Sequence, residues 1–249
     1  MNFKQKLNKV LSKFNVELHG TSYLQSLAKG DFKKNEYDYF NQCFGNKPII
    51  IFDVGANRGT TLKKFFATFP LAKIFAFEPI EELNQTIKED FKNNSQLKLY
   101  CLGISDRQDE IPFYVNKSLD TSSFLSSQKT GLNSDEQVKT LSEIKVPVTT
   151  IEEIVARENL THIHLLKLDI QGSELKALQG AASLLANKCI DIIYTEAYFV
   201  QQYKDQPLFY DIAAFLRKHD YVLQDIYNPI YGKNKLAWCD TVFIRQDFK

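Results

Sequence analysis

The sequence predicts an α/β protein built on a mostly parallel sheet buried on both faces. Three observations predict it. From Pro48 onward, apolar runs of strand length alternate with amphipathic helical stretches, the pattern of consecutive βαβ units. The first run, PIIIF, empties into a glycine-spaced turn, DVGANRG, the kind of strand-to-helix turn at which open parallel sheets hold ligands. The last two runs, YVLQDIY and LAWCDTVFIR, are joined by NPIYGKNK. That connector leaves no room for a crossover helix, so the two runs form an antiparallel hairpin.

Taken in order, the chain opens with MNFKQKLNKVLSKFNVEL, where Phe3, Leu7, Val10, Leu11 and Phe14 recur at helical spacing and lysines fill the other faces. This predicts a helix packed on its own domain or on a partner subunit rather than a membrane-seeking one. Tyr37, Phe40 and Phe44 share one face of a further helix that stops at Gly45. Residues 1–46 therefore read as a helical N-terminal cap, with an aromatic surface suited to a homodimer, and 47–249 as the main domain. Within it the strands are IIIFDVG, KIFAFEP, LKLYCLGIS, IHLLKLDIQG and CIDIIYTEA, followed by the hairpin. Helices are expected from Arg58 to Phe69, from Ile80 to Phe91, through Leu185, and around Leu208 to Lys218. Residues 116–145, rich in Ser, Thr, Asn and Lys, break the scheme and read as a polar insertion, either an acceptor lid or a disordered loop.

Composition narrows the class further. A length of 249 residues suits one sizeable α/β domain plus a small accessory segment. A formal charge of +1 supplies no global field to recruit nucleic acid or an anionic membrane. No uninterrupted apolar core of signal-peptide type opens the chain, and no later stretch has the length of a membrane span, so a cytoplasmic protein is expected. Cys43, Cys101, Cys189 and Cys239 form no C-x-x-C and three lie in apolar runs, which predicts buried thiols and no zinc site.

The turn carries the chemistry. Gly55 and Gly59 are spaced G-x-x-x-G, and Asn57 stands where the dinucleotide fingerprint needs its middle glycine. With Asp53 two residues before Gly55, this favours a ligand that lacks a pyrophosphate and has a positive centre. Glu78 ends the second strand, where a carboxylate accepts both hydroxyls of a ribose, an arrangement common to NAD and S-adenosylmethionine sites. Gly103 to Asp106, from LGISDR, are expected at the same rim, flanking an adenine whose amino group Asp106 accepts.

DVGANRG, the FEP ending, the GISD rim, VPVTTIEEI and LLKLDIQGSELKALQGA, in this order over roughly residues 48–245, resemble the FkbM family of S-adenosylmethionine-dependent methyltransferases. The resemblance implies a class I methyltransferase, Rossmann-like fold: seven strands, one antiparallel, with helices on both faces. It also implies O-methylation of a hydroxyl in a glycan or secondary metabolite. On this reading Asp53, Gly55, Asn57 and Gly59 contact the methionine end of the cofactor, Glu78 the ribose, and Ser105 with Asp106 the adenine side.

The acceptor half is expected at KLDIQGSE. Strand alternation puts Lys167 and Asp169 on one side, and Glu174 falls in the first turn of the next helix. Asp169 and Glu174 then converge on one opening, as a base for the hydroxyl proton or as a divalent-cation pair, with Asp169 the metal candidate. The alternative is a helix cap with Lys167 pairing. Family members carry Glu where Gln171 stands, and Gln is neither base nor charged ligand, so weight shifts to Asp169. Glu196, ending IIYTEA, is a further catalytic candidate at the same rim. His162 and His164, at the other end of their strand, read as structural, and Trp238, Tyr194, Tyr198 and Phe199 as core or as an acceptor wall. Two other classes stay open: an NAD-linked Rossmann oxidoreductase, disfavoured by Asn57, and a methyltransferase-like module that binds a partner without catalysis.

Overall fold

The computed structural model describes residues 35–129, 135–232 and 234–248. The helix expected over Phe3 to Phe14 lies outside the described residues. The chain divides into two compact units, 1–40 and 41–249. In the first, Asn35 Oδ1 accepts the N–H of Asp38 (2.9 Å) as α1 (Glu36–Phe44) begins, and the rings of Tyr37 and Phe40 meet edge-on at 6.1 Å.

In the second unit the alternating pattern resolves into β1 (Ile50–Val54), α2 (Thr60–Thr68), β2 (Lys73–Phe77), α3 (Glu81–Asp90) and β3 (Leu97–Tyr100). There follow β4 (Gly103–Ile104), β5 (Asp109–Asn116), the 3-10 turn Leu119–Thr121, β6 (Thr140–Thr149), α4 (Ile151–Arg157) and β7 (Ile163–Leu168). The chain closes with α5 (Glu174–Gln179), α6 (Ala182–Ala186), β8 (Ile190–Tyr198), α7 (Phe209–Arg217), β9 (Tyr221–Gly232) and β10 (Lys235–Arg245).

Seven strands form one sheet in the order β3-β2-β1-β7-β8-β10-β9. All neighbouring pairs from β3 to β8 are parallel, and β10 runs antiparallel to both β8 and β9. Apolar residues on consecutive strand positions bury both faces. Phe52, Phe75, Leu166 and Ile193 pack with Ile154 of α4, Leu178 of α5 and Leu216 of α7. Their strand neighbours Ile51, Ile74, Leu165 and Ile192 point the other way and are equally buried. Among the described residues no helix is long and apolar enough to cross a membrane.

Several expectations are corrected. LKLYCLGIS is not one strand: β3 stops at Tyr100, and β4 leaves for a second sheet, β4-β6-β5, a two-residue strand too short to register as a period. Residues 116–145 are not all loop, because Thr140 to Lys145 pair with β5 from Asn116 back to Pro112. The helix expected through Leu185 breaks into α5 and α6 at Gly180, whose absent Cβ would lie 2.2 Å from the Ser105 carbonyl oxygen. Five residues of NPIYGKNK, Asn228 to Gly232, lie in β9, and its last, Lys235, opens β10. Only Cys239 is buried: Cys101 is exposed on the bend after β3, and Cys43 and Cys189 are half-buried.

Candidate active site

The site lies where the sheet order reverses. From β1 the chain steps to β2 and β3 on one side, then returns to β7 and β8 on the other, and ligands of open α/β sheets bind at the carboxyl ends beside that switch. There the N–H of Asp169 donates to Val54 O (3.1 Å), tying the end of β7 to the end of β1. The two turns then touch. Gly55 has φ 79°, and a Cβ on it would lie 1.9 Å from the Asp169 carbonyl oxygen, so no other residue fits without moving a backbone. The N–H groups of Gly55 and Ala56 both donate to Phe77 O (3.0 Å each). Glu78 completes the clasp, accepting the Asn57 N–H on Oε2 and the Ile80 N–H on Oε1, each at 2.9 Å.

Two cavities open here. A slot runs under Glu78 between Phe77, Ile80 and Ile104, floored by Phe113 and Phe124. A wider cavity of about 380 Å³ is lined by Arg58, Lys167, Glu196, Tyr198, Gln202 and Trp238. Gly55, Asn57, Asp120, Asp169 and Gln171 line both, so these residues form the junction. Asp120 comes from the polar insertion, as does Gln137 in the wider cavity. Tyr198 and Trp238 are stacked there, with ring centroids 6.0 Å apart and planes at 29°.

The electrostatics follow from burial. Lys167 Nζ donates to Gly55 O (2.8 Å) and lies 3.0 Å from Asp53 Oδ1 and 3.6 Å from Asp169 Oδ2. Asp53 is fully buried; desolvation raises its pKa and the Lys167 ammonium opposes the rise. Desolvation pushes Glu78 up to about 7, against the two N–H groups it accepts. Glu174 is likewise pushed up to about 7 by burial, though its Oε1 accepts the N–H groups of Ile170 (3.0 Å) and Gly172 (3.2 Å). Glu196 rises well above the ordinary carboxylate range, first by desolvation, then by the nearby Asp169 and Glu174. Gln171, with φ 53°, lies between the carboxylates: its Nε2 donates to Asp169 Oδ1 (3.0 Å) and to Glu196 Oε2 (2.8 Å).

Of the residues expected from sequence, Gly55, Asn57, Glu78 and Asp169 line the slot, and Gly55, Asn57, Asp169 and Glu196 the wider cavity. The other five line neither. Asp53 is sealed behind Lys167. Gly59 is a left-handed helix N-cap resting on Phe91 and Ile87. Ser105 is buried, and its hydroxyl donates to Asp106 Oδ1 (3.1 Å), which also pairs with Arg107. The expected convergence of Asp169 and Glu174 on one opening is corrected: Glu174 is turned inward, clamps the Ile170–Gly172 backbone and is 1% exposed. The carboxyl group that faces Asp169 in the cavity is Glu196. No motif singles out Tyr203, Gln202 or Phe113, and Asp120, Phe124 and Gln137 come from the 116–145 insertion, which the sequence marks only as a segment. His162 pairs with Asp191 (2.7 Å) and His164 Nδ1 accepts the Ile50 N–H (3.0 Å), at the opposite end of the sheet.

Residues 53–223 match the family model described as the methyltransferase FkbM domain. The 2-O-methyltransferase NoeI of Sinorhizobium fredii is 27% identical over 166 residues, 64% of this chain and 65% of that protein. Methyltransferase 1 of Beauveria bassiana is 23% identical over 57% of this chain and 64% of its own length. The chain thus spans just under two thirds of the length of these two relatives. Among solved structures, an rRNA methylase from Streptococcus thermophilus aligns at 11% identity with a TM-score of 0.47, covering 86% of this chain and 98% of that one.

Proposed function

The chain belongs to the FkbM methyltransferase family, and from that premise we propose that it moves a methyl group from S-adenosylmethionine to a hydroxyl of a sugar, glycan or hydroxylated metabolite. Its sheet order with one reversed strand is that of the class I methyltransferase fold. The observation that carries the proposal is the junction: a slot and a wider cavity meet at Asp169, so a donor in one faces an acceptor in the other.

The slot fits the cofactor. Asn57 Oδ1 is buried there with no hydrogen-bond partner among the described residues, and Glu78 presents carboxylate oxygens beside apolar walls that suit a ribose and an adenine. Gly55 and Asn57 would meet the methionine end, and Phe113 and Phe124 the base. Asp53 would act on a positive centre only through Lys167. When bound, the cofactor would supply an electrophilic methyl group to the acceptor oxygen, with the electron pair of the broken S–C bond left on sulfur. The chain must then orient the hydroxyl and remove its proton. Asp169, at the junction, takes the proton. Glu196 sits deeper and, held toward its protonated form, serves the Tyr198 hydroxyl at the wall of the acceptor cavity. The Tyr198–Trp238 stack offers a flat apolar wall among amides and hydroxyls, which suits a sugar ring. The name of NoeI, a 2-O-methyltransferase, supports oxygen as the acceptor atom.

Calorimetric titration with S-adenosylhomocysteine tests the cofactor. Saturable binding is expected, weakened roughly tenfold or more in Glu78→Ala through loss of charge-assisted hydrogen bonds. No binding at millimolar ligand, or unchanged affinity in Glu78→Ala, overturns the assignment, and binding of NADH instead favours the oxidoreductase. Retained affinity with no product from a panel of hydroxylated acceptors favours a binding module.

A further inference from the structure

The acceptor cavity has a hydrogen-bond arrangement that methyl transfer alone does not require. Gln171 is 9% exposed and uses every polar atom of its side chain. Both N–H groups go to carboxylates, Asp169 and Glu196. Its Oε1 lies 3.0 Å from the Tyr198 hydroxyl and 2.9 Å from that of Tyr203. Turning the amide over would set its oxygen against two carboxyl oxygens and its nitrogen against two hydroxyls, so the partners dictate one orientation.

The backbone holds it there as well: Ser123 Oγ, from the insertion, donates to the Gln171 carbonyl (2.7 Å). Proton counting then separates the two carboxyl groups. Tyr198 has one hydrogen for two contacts, Gln171 Oε1 at 3.0 Å and Glu196 Oε2 at 2.8 Å. Tyr203 likewise shares one between Gln171 Oε1 and the Thr121 carbonyl (2.8 Å). A proton on Glu196 serves the Tyr198–Glu196 contact and leaves the Tyr198 hydrogen for the amide. The other oxygen of Asp169 lies 3.6 Å from the Lys167 ammonium.

We propose that Gln171 is the positioning residue of the acceptor site: its carboxamide occupies the place a divalent cation would need between Asp169 and Glu196, and holds them as an unlike pair, base and acid. The chain therefore deprotonates its acceptor without a bound metal. Gln171 acts through Asp169 and Glu196 and touches no reacting atom. The catalytic half of this inference rests on the methyl-transfer reading; the cation half does not.

Two measurements test it. The first is Mn²⁺ binding to the apoprotein by calorimetry, which needs no activity. Wild type is expected to show no binding that Asp169→Asn removes. Gln171→Glu places three carboxyl groups around one point, a hard-cation donor set, and is expected to gain such a site. The second is the pH profile of kcat for wild type and Gln171→Leu. Without the amide, the two carboxyl groups lose the donor they share and keep only Tyr198 on Glu196 and Lys167 beside Asp169, with Glu174 and Asp240 nearby, so the acid limb should move up by about one unit. S-adenosylhomocysteine affinity should stay within threefold and kcat should fall about tenfold or more.

Mn²⁺ binding in wild type that Asp169→Asn abolishes, loss of activity in EDTA, or an acid limb that Gln171→Leu leaves in place overturns the proposal. If no acceptor is methylated, the methyl-transfer reading fails while the Mn²⁺ titrations still decide the role of the amide. Should Gln171→Leu fail to fold, wild type and Gln171→Glu decide it.

Discussion

The slot under Glu78 and the cavity beside Trp238 share Asp169, yet different parts of the chain hold them in shape. The slot is stitched through backbone N–H groups: those of Gly55 and Ala56 donate to Phe77 O, and those of Asn57 and Ile80 to the Glu78 carboxyl group. The cavity is held by side chains that reach one another across the chain, from Thr121 in the insertion through Tyr203 and Gln171 to Asp169 and Glu196. The slot's cradle depends on backbone shape and on the one carboxyl group of Glu78. A side-chain network can be rebuilt one residue at a time. Side-chain substitutions should accordingly separate the two functions, and a backbone substitution should abolish both.

The largest effect is expected from Gly55→Ala. The new methyl would lie 1.9 Å from the Asp169 carbonyl oxygen in a left-handed turn, which forces the β1 and β7 turns apart at a cost on the order of 3 kcal/mol. Denaturant unfolding should show that loss, and S-adenosylhomocysteine binding should disappear with it. A variant that melts and binds like wild type would mean that the turns are not rigidly joined. Next comes Asp169→Asn, expected to lower kcat by roughly 10²-fold or more while cofactor affinity stays within threefold. A parallel fall in affinity and kcat would erase the distinction between the two cavities.

The smallest effect concerns Glu174, which belongs to neither wall. Its pKa is about 7 in the folded protein against an ordinary 4.5, so between these values the folded state keeps a proton that the unfolded chain has released. Stability contributed by this group is therefore full below about pH 4.5 and falls as pH rises toward 7. Glu174→Gln keeps the oxygen that accepts the Ile170 and Gly172 N–H groups and removes the titration. Urea unfolding at pH 5 and pH 7.5 should show a flatter pH dependence than wild type, with kcat within twofold. An identical pH slope would mean that the carboxyl titrates alike in both states.

Much of the slot was legible from sequence because its parts are local. DVGANRG and FEP carry their own geometry, and neighbouring parallel strands bring them together wherever βαβ units form. Ser105 and Asp106 were misplaced for a related reason: the chain leaves the main sheet after Tyr100, Ser105 N–H bonds to Thr149 O, and the Ser105 carbonyl packs against Gly180. No period marks a two-residue strand. Asp53, expected at the methionine end of the cofactor, is covered by Lys167 from β7. Glu174 looked like half of a pair, but backbone N–H groups two and four residues before it claim its oxygen.

The alternation of β1, β2, β7 and β8 with helices, the antiparallel hairpin and the glycine turn followed from the sequence by itself, since periodicity and turn chemistry act over a few residues. Which carboxylate meets which was decided only by the tertiary structure. Register sets Leu168 of β7 beside Thr195 of β8, and the residues that follow, Asp169 and Glu196, then share the amide of Gln171. Burial and proton sharing at that point depend on segments far apart in the chain, and no short-range pattern encodes them.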